Sequence, residues 1–113
     1  MKVVLQALGL GSLGLGSLAI ATGAAAEPPA VYYSWRAMET SVTQCVNQAR
    51  QALATEALIP VQADENSVAG QSDDATAVFI CLESPGASTV LVIVSSQDET
   101  NALALREALK AAF

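Results

Sequence analysis

Residues 73–96, Asp-Asp-Ala-Thr-Ala-Val-Phe-Ile-Cys-Leu-Glu-Ser-Pro-Gly-Ala-Ser-Thr-Val-Leu-Val-Ile-Val-Ser-Ser, decide the fold. Two runs rich in β-branched residues, Ala75 to Glu83 and Thr89 to Ser95, flank Ser84-Pro85-Gly86-Ala87-Ser88. Pro and Gly are turn formers, so the runs read as an antiparallel pair joined by a short loop. With period two, Ala77, Phe79 and Cys81 share one face of the first run, and Val78, Ile80 and Leu82 share the other. On the second run, either Val90, Val92 and Val94 or Leu91 and Ile93 join the Val78 face. Both faces are apolar, more than a sheet with one solvated side needs.

Upstream, Gln71-Ser72-Asp73-Asp74 is a polar turn, and Asn66 to Gly70 reads as a further strand that completes a three-stranded meander. Val61 to Glu65 reads as a short extended piece. Before it, Val42, Cys45, Val46, Ala49, Leu53 and Ala57 recur at steps of three and four, the spacing of an amphipathic helix. Ser41-Val42-Thr43-Gln44 fits a capping box at its start, and Ile59-Pro60 is expected to end it. Cys45 lies on the apolar side of this helix, so the face that carries Cys81 is expected to be the helix-covered one.

Ala30 to Met38 holds both tyrosines and the single tryptophan, a composition that suits a strand. Val31, Tyr33 and Trp35 share one face, and Tyr32, Ser34 and Arg36 the other. One reading lets Tyr33 and Trp35 cover the core. The other makes them an exposed platform for a sugar or a peptide, since stacking surfaces use the same residues. At the far end, Ser96-Gln97-Asp98-Glu99 fits a second capping box, and Ala102, Leu105, Leu109 and Ala112 continue at helical spacing. The acidic start of this helix and Lys110 near its end match the helix dipole. The expected fold class is therefore α+β, a small antiparallel sheet in β-α-β-β-β-α order with two helices on one face.

The first 26 residues have one cation, Lys2, then an uncharged apolar run, then Ala24-Ala25-Ala26 before Glu27. That is the layout of a secretory signal peptide with cleavage after Ala26, the alternative being an uncleaved membrane anchor. Gly9-Leu10-Gly11-Ser12-Leu13-Gly14 matches a dinucleotide fingerprint, but a removed segment lacks the strand–turn–helix context that the fingerprint needs. Residues 27–113 then make one small domain with a proline-stiffened lead-in at 27–29, and the expected location is the periplasm or the extracellular space. In an oxidising compartment the two cysteines, Cys45 and Cys81, are expected to form a structural disulfide.

Charge and residue content narrow the function. Outside the first 26 residues the cations are Arg36, Arg50, Arg106 and Lys110, against all 11 acidic residues of the chain. Such a balance excludes nucleic acid as a natural partner, and leaves a membrane as one only if the leading segment is retained. The chain has no histidine, which removes the usual general base. The carboxylate pairs Asp64-Glu65 and Asp73-Asp74 are the remaining catalytic candidates, and a small envelope enzyme using carboxylates is the alternative function. Neither pair matches a calcium loop, and no catalytic residue, metal-ligand set or cofactor site is assigned. The expected function is a non-enzymatic exported binding or interaction module. Its candidate contact residues are Tyr33, Trp35, Val78, Ile80 and Leu82, and the expected partner is a second copy or an envelope protein.

The order of these features also carries a resemblance. Ser34-Trp35 ends an aromatic strand, Cys45 sits on a helix, and Ser67-Val68-Ala69-Gly70 precedes Thr76-Ala77-Val78-Phe79-Ile80-Cys81. A Val-Ile-Val strand and a closing helix follow. In this the chain resembles small exported bacterial proteins of unknown function, of the kind found in cyanobacteria. The resemblance implies an exported α+β domain and brings no catalytic residues. There is also some likeness to ferredoxin-like α+β folds, from which the element order departs.

Overall fold

A computed structural model describes residues 27–113. The leading segment, with the expected signal peptide and the glycine fingerprint, lies outside the described residues. Strand β1 spans Ala30–Met38, helix α1 Val42–Thr55, β2 Ile59–Ala63, β3 Ser67–Gln71, β4 Ala75–Ser84, β5 Ala87–Ser96 and helix α2 Glu99–Lys110. The strands form one antiparallel sheet in the order β1-β5-β4-β3-β2. The class is α+β as expected, with one strand more than the sequence indicated. The extended piece read at Val61 to Glu65 is β2, which starts at Ile59, and it hydrogen-bonds to β3 as the edge of the sheet.

The β4–β5 pair is longer than the two apolar runs. Ser84 pairs with Ala87, leaving only Pro85 and Gly86 in the turn. Proline fixes the φ of the first of these, and Gly86, at φ 69°, supplies the positive φ of the second. Register assigns the faces. Phe79 pairs with Val92, and Ala77 with Val94, so Val90, Val92 and Val94 belong to the Cys81 face. Leu91 and Ile93 join Ile80 and Val78 on the other side.

Both helices cover the Cys81 face, α1 lying over β3 to β5 and α2 over β5 and β1. The core there joins Cys45, Ala49 and Leu53 of α1 and Ala102 and Leu109 of α2 to Val68, Phe79, Cys81, Val92 and Val94. Phe79, 1% exposed, meets the Phe113 ring with centroids 5.2 Å apart. Cys45 and Cys81 are disulfide-bonded, with Cα atoms 6.1 Å apart, which ties α1 to the middle strand. Gly70 allows β3 to run close under the α1–β2 connection, because a Cβ there would stand 3.0 Å from Leu58 Cβ.

The helix ends depart in part from expectation. Ser41 caps α1 as read, its hydroxyl accepting from Gln44 N–H while the Gln44 side chain accepts from Ser41 N–H. The helix stops before the Ile59-Pro60 signal. Ala57, expected on its apolar face, has φ 60° and lies past its end. Leu58 N–H donates to Leu53 C=O and Ala57 N–H to Ala54 C=O, the two bonds of a Schellman closure. The second capping box is not formed. Ser96 belongs to β5, and its hydroxyl donates to Asp74 C=O. Asp98 caps α2 instead, accepting from Asn101 N–H.

Candidate functional site

The sheet face away from the helices is the candidate site. Paired residues share a face, so the register lays out its rows. One row runs Tyr33, Ile93, Val78, Ala69, and the next runs Trp35, Leu91, Ile80, Ser67. Leu82, opposite Thr89, extends it toward the Pro85-Gly86 turn. The first row is apolar across four strands and the second across three, and no helix of the described residues lies on this face. Val31, Tyr33, Trp35, Ile59 and Leu82, five of the most exposed large apolar side chains, all point to this side.

All five sequence candidates, Tyr33, Trp35, Val78, Ile80 and Leu82, thus come together on one face. The reading of Tyr33 and Trp35 as core cover is overturned, since they are 58% and 66% exposed. The opposite side of β1 faces the core, and Tyr32 packs against it in their place. The sequence leaves open whether Leu91 and Ile93 or the Val90, Val92 and Val94 set joins this face, and the pairing assigns Leu91 and Ile93 to it. Tyr33 and Trp35 stack on one another along the strand, a pre-ordered aromatic pair at the margin of the face.

Polar anchors hold β1 from its inner side. Tyr32 O–H donates to Glu99 at 2.7 Å, and the Arg106 guanidinium lies 5.8 Å from the centre of the Tyr32 ring. The Glu99 hydrogen bond, followed by desolvation, raises the Tyr32 pKa above its ordinary value. Arg106 and Lys110 both meet the Glu107 carboxylate, at 2.9 and 3.3 Å, and lower its pKa by hydrogen bonding.

The acidic pairs serve turns. Asp64 accepts from Asn66 N–H, Ser67 N–H and the Ser67 hydroxyl, and its pKa is held low chiefly by the Asn66 backbone N–H and then by the Ser67 hydroxyl. Asp74 accepts from the Ser72 hydroxyl and the Asn101 amide, tying the β3–β4 turn to α2. Among the described residues no three acidic or cysteine side chains are placed to hold a metal ion. A cleft of about 250 Å³ opens between β1 and the end of α2, lined by Phe79, Val90, Val92 and Phe113 with Ser34, Arg36 and Lys110 at its polar side. No Asp or Glu side chain lines it, so the acidic pairs and this cavity do not combine into one site. Comparison with protein-family models and with curated proteins finds no match to this chain.

Proposed function

We propose that this protein is an exported, non-enzymatic interaction module whose outer sheet face docks on an apolar protein surface. One observation carries the reading: the rows Tyr33, Ile93, Val78 and Trp35, Leu91, Ile80 form a contiguous apolar surface over three strands, with no helix of the described residues on it. Soluble monomers rarely expose such patches unless they are contact sites. The Cys45–Cys81 bond is compatible with an oxidising compartment, and the leading segment has the layout of an export signal.

Affinity capture from an envelope extract tests the reading. Ile80 is central to the outer rows and half-buried, so Ile80→Lys puts a charge in the contact without entering the helix-covered core. Wild-type protein is expected to capture a partner or a second tagged copy, and Ile80→Lys to lose it while keeping its thermal unfolding transition. Equal capture by the two proteins rejects the face as the contact.

A further inference from the structure

The two edges of the sheet are built differently. Edge strands present a row of unpaired N–H and C=O groups, and proteins blunt them with proline, bulges, short length or charge. The β2 edge uses three of these devices: it is five residues long, contains Pro60, and shifts register between Pro60 and Gln62. The β1 edge uses almost none. It is nine residues long, pairs with β5 in unbroken register, has no proline, and carries one charge, Arg36. The single side-chain hydrogen bond to its backbone among the described residues is a long one, Arg106 Nη1 to Tyr33 C=O at 3.5 Å. That carbonyl has a second lone pair free to accept.

We infer that a second copy of this chain pairs with β1, antiparallel about a twofold axis through Ser34, to give one continuous sheet of doubled width. Ser34 is the middle residue of Ala30–Met38, so this register uses the whole strand. It also makes the strand self-complementary, as a twofold contact requires. On the outer face Tyr33 stands opposite Trp35 of the second copy, an aromatic cross-strand pair formed twice. On the inner face Arg36 of the second copy stands opposite Tyr32, whose hydroxyl is bonded to Glu99. Arg36 makes no ion pair within the described residues, whereas Arg106, the other cation near Tyr32, is engaged by Glu107. The register therefore supplies Arg36 with the Glu99 carboxylate across the twofold. The contact is at the sheet's edge and leaves the outer face free, so it stands or falls separately from the docking of that face.

Sedimentation and cysteine crosslinking of the purified protein test the inference. Opposed residues of an antiparallel pair have Cα atoms about 4.5 to 5.5 Å apart, within disulfide reach. Wild-type protein is expected to sediment as a dimer, and Ser34→Cys to become a covalent dimer on mild oxidation while Ile80→Cys does not. Arg36→Glu is expected to weaken the dimer about tenfold, as loss of a charged contact does, and Arg36→Glu with Glu99→Arg to restore it. That rescue guards against Ser34→Cys mispairing with the native cysteines. A wild-type monomer overturns the inference. So does a dimer that crosslinks through Ile80→Cys and not through Ser34→Cys, an outcome that places the second copy on the outer face and upholds the proposed function.

Discussion

Tyr33 and Trp35 stack on the solvent side of β1, their ring centroids 5.9 Å apart and their planes within 12° of parallel. Two residues apart on a strand, they point the same way, and each limits the other's rotamers. A partner meeting this pair finds it already ordered, which lowers the entropy lost on contact.

Trp35→Ala should therefore separate association from folding. Trp35 is 66% exposed, so its loss should cost at most about 1.5 kcal/mol, the scale of an aromatic pair. Phe79→Ala, which empties a site 1% exposed, should cost about 3 to 5 kcal/mol. Urea unfolding of the two variants gives the comparison, and capture by Trp35→Ala should fall despite its near-normal stability.

Cys45 and Cys81 are separated by 36 positions, and in the chain-entropy model closing such a loop contributes about 3 to 4 kcal/mol. The Cys45→Ala, Cys81→Ala double variant should lose that amount in denaturant unfolding. Intact mass of unreduced protein recovered from the exported fraction should correspond to a chain beginning at Glu27 with no free thiol. A mass that retains the first 26 residues would point to a membrane anchor instead.

Two backbone positions should respond in opposite directions. Gly70→Ala drives a Cβ to 3.0 Å from Leu58 and should destabilise the protein by about 1 to 3 kcal/mol. Ala57 holds a left-handed conformation that disfavours a Cβ, so Ala57→Gly should raise stability by about 1 kcal/mol. Thermal unfolding monitored by circular dichroism reads both.

Asp64 gives a pH dependence with a definite sign. Its folded pKa lies below the ordinary 3.8, so its contribution is fully present above that value and is lost as pH falls through the lower, folded one. Asp64→Ala should be less stable than wild type at neutral pH and should converge with it in strong acid. Denaturant midpoints measured from neutral pH down to acid would show a constant gap if the turn hydrogen bonds contributed nothing.

Particular residues explain what could be read in advance. Helical spacing places Cys45 on the apolar side of its helix and Ser41-Val42-Thr43-Gln44 announces that helix, because both signals are local; Cys81 is assigned to the covered face only through its expected bond to Cys45. The orientation of β1 was not local. Alternation put Tyr33 with Trp35, but which side met the core depended on α2, whose Glu99 and Arg106 receive Tyr32. Tyr32 and Arg36 have polar tips, but on an edge strand such side chains can lay their stems over apolar surface and still reach water. The extended piece legible from Val61 is part of β2, whose start at Ile59 is masked by Pro60, a residue that marks helix ends and sheet edges alike. Ser96 fitted a cap pattern but was taken by β5, where its hydroxyl meets the Asp74 carbonyl.

The pairing of β1 also sets an order of assembly. Strands β2 to β5 each lie beside a neighbour in sequence, whereas β1 lies only beside β5, Ala30 meeting Ser96 and Met38 meeting Ser88. Contacts between distant residues close large loops and form slowly. The first described strand to leave a ribosome or an export channel is thus the last to acquire its neighbour, and until then β5 offers its own open edge. A carrier that holds the chain extended during transport would need to shield Tyr32 to Trp35 longest.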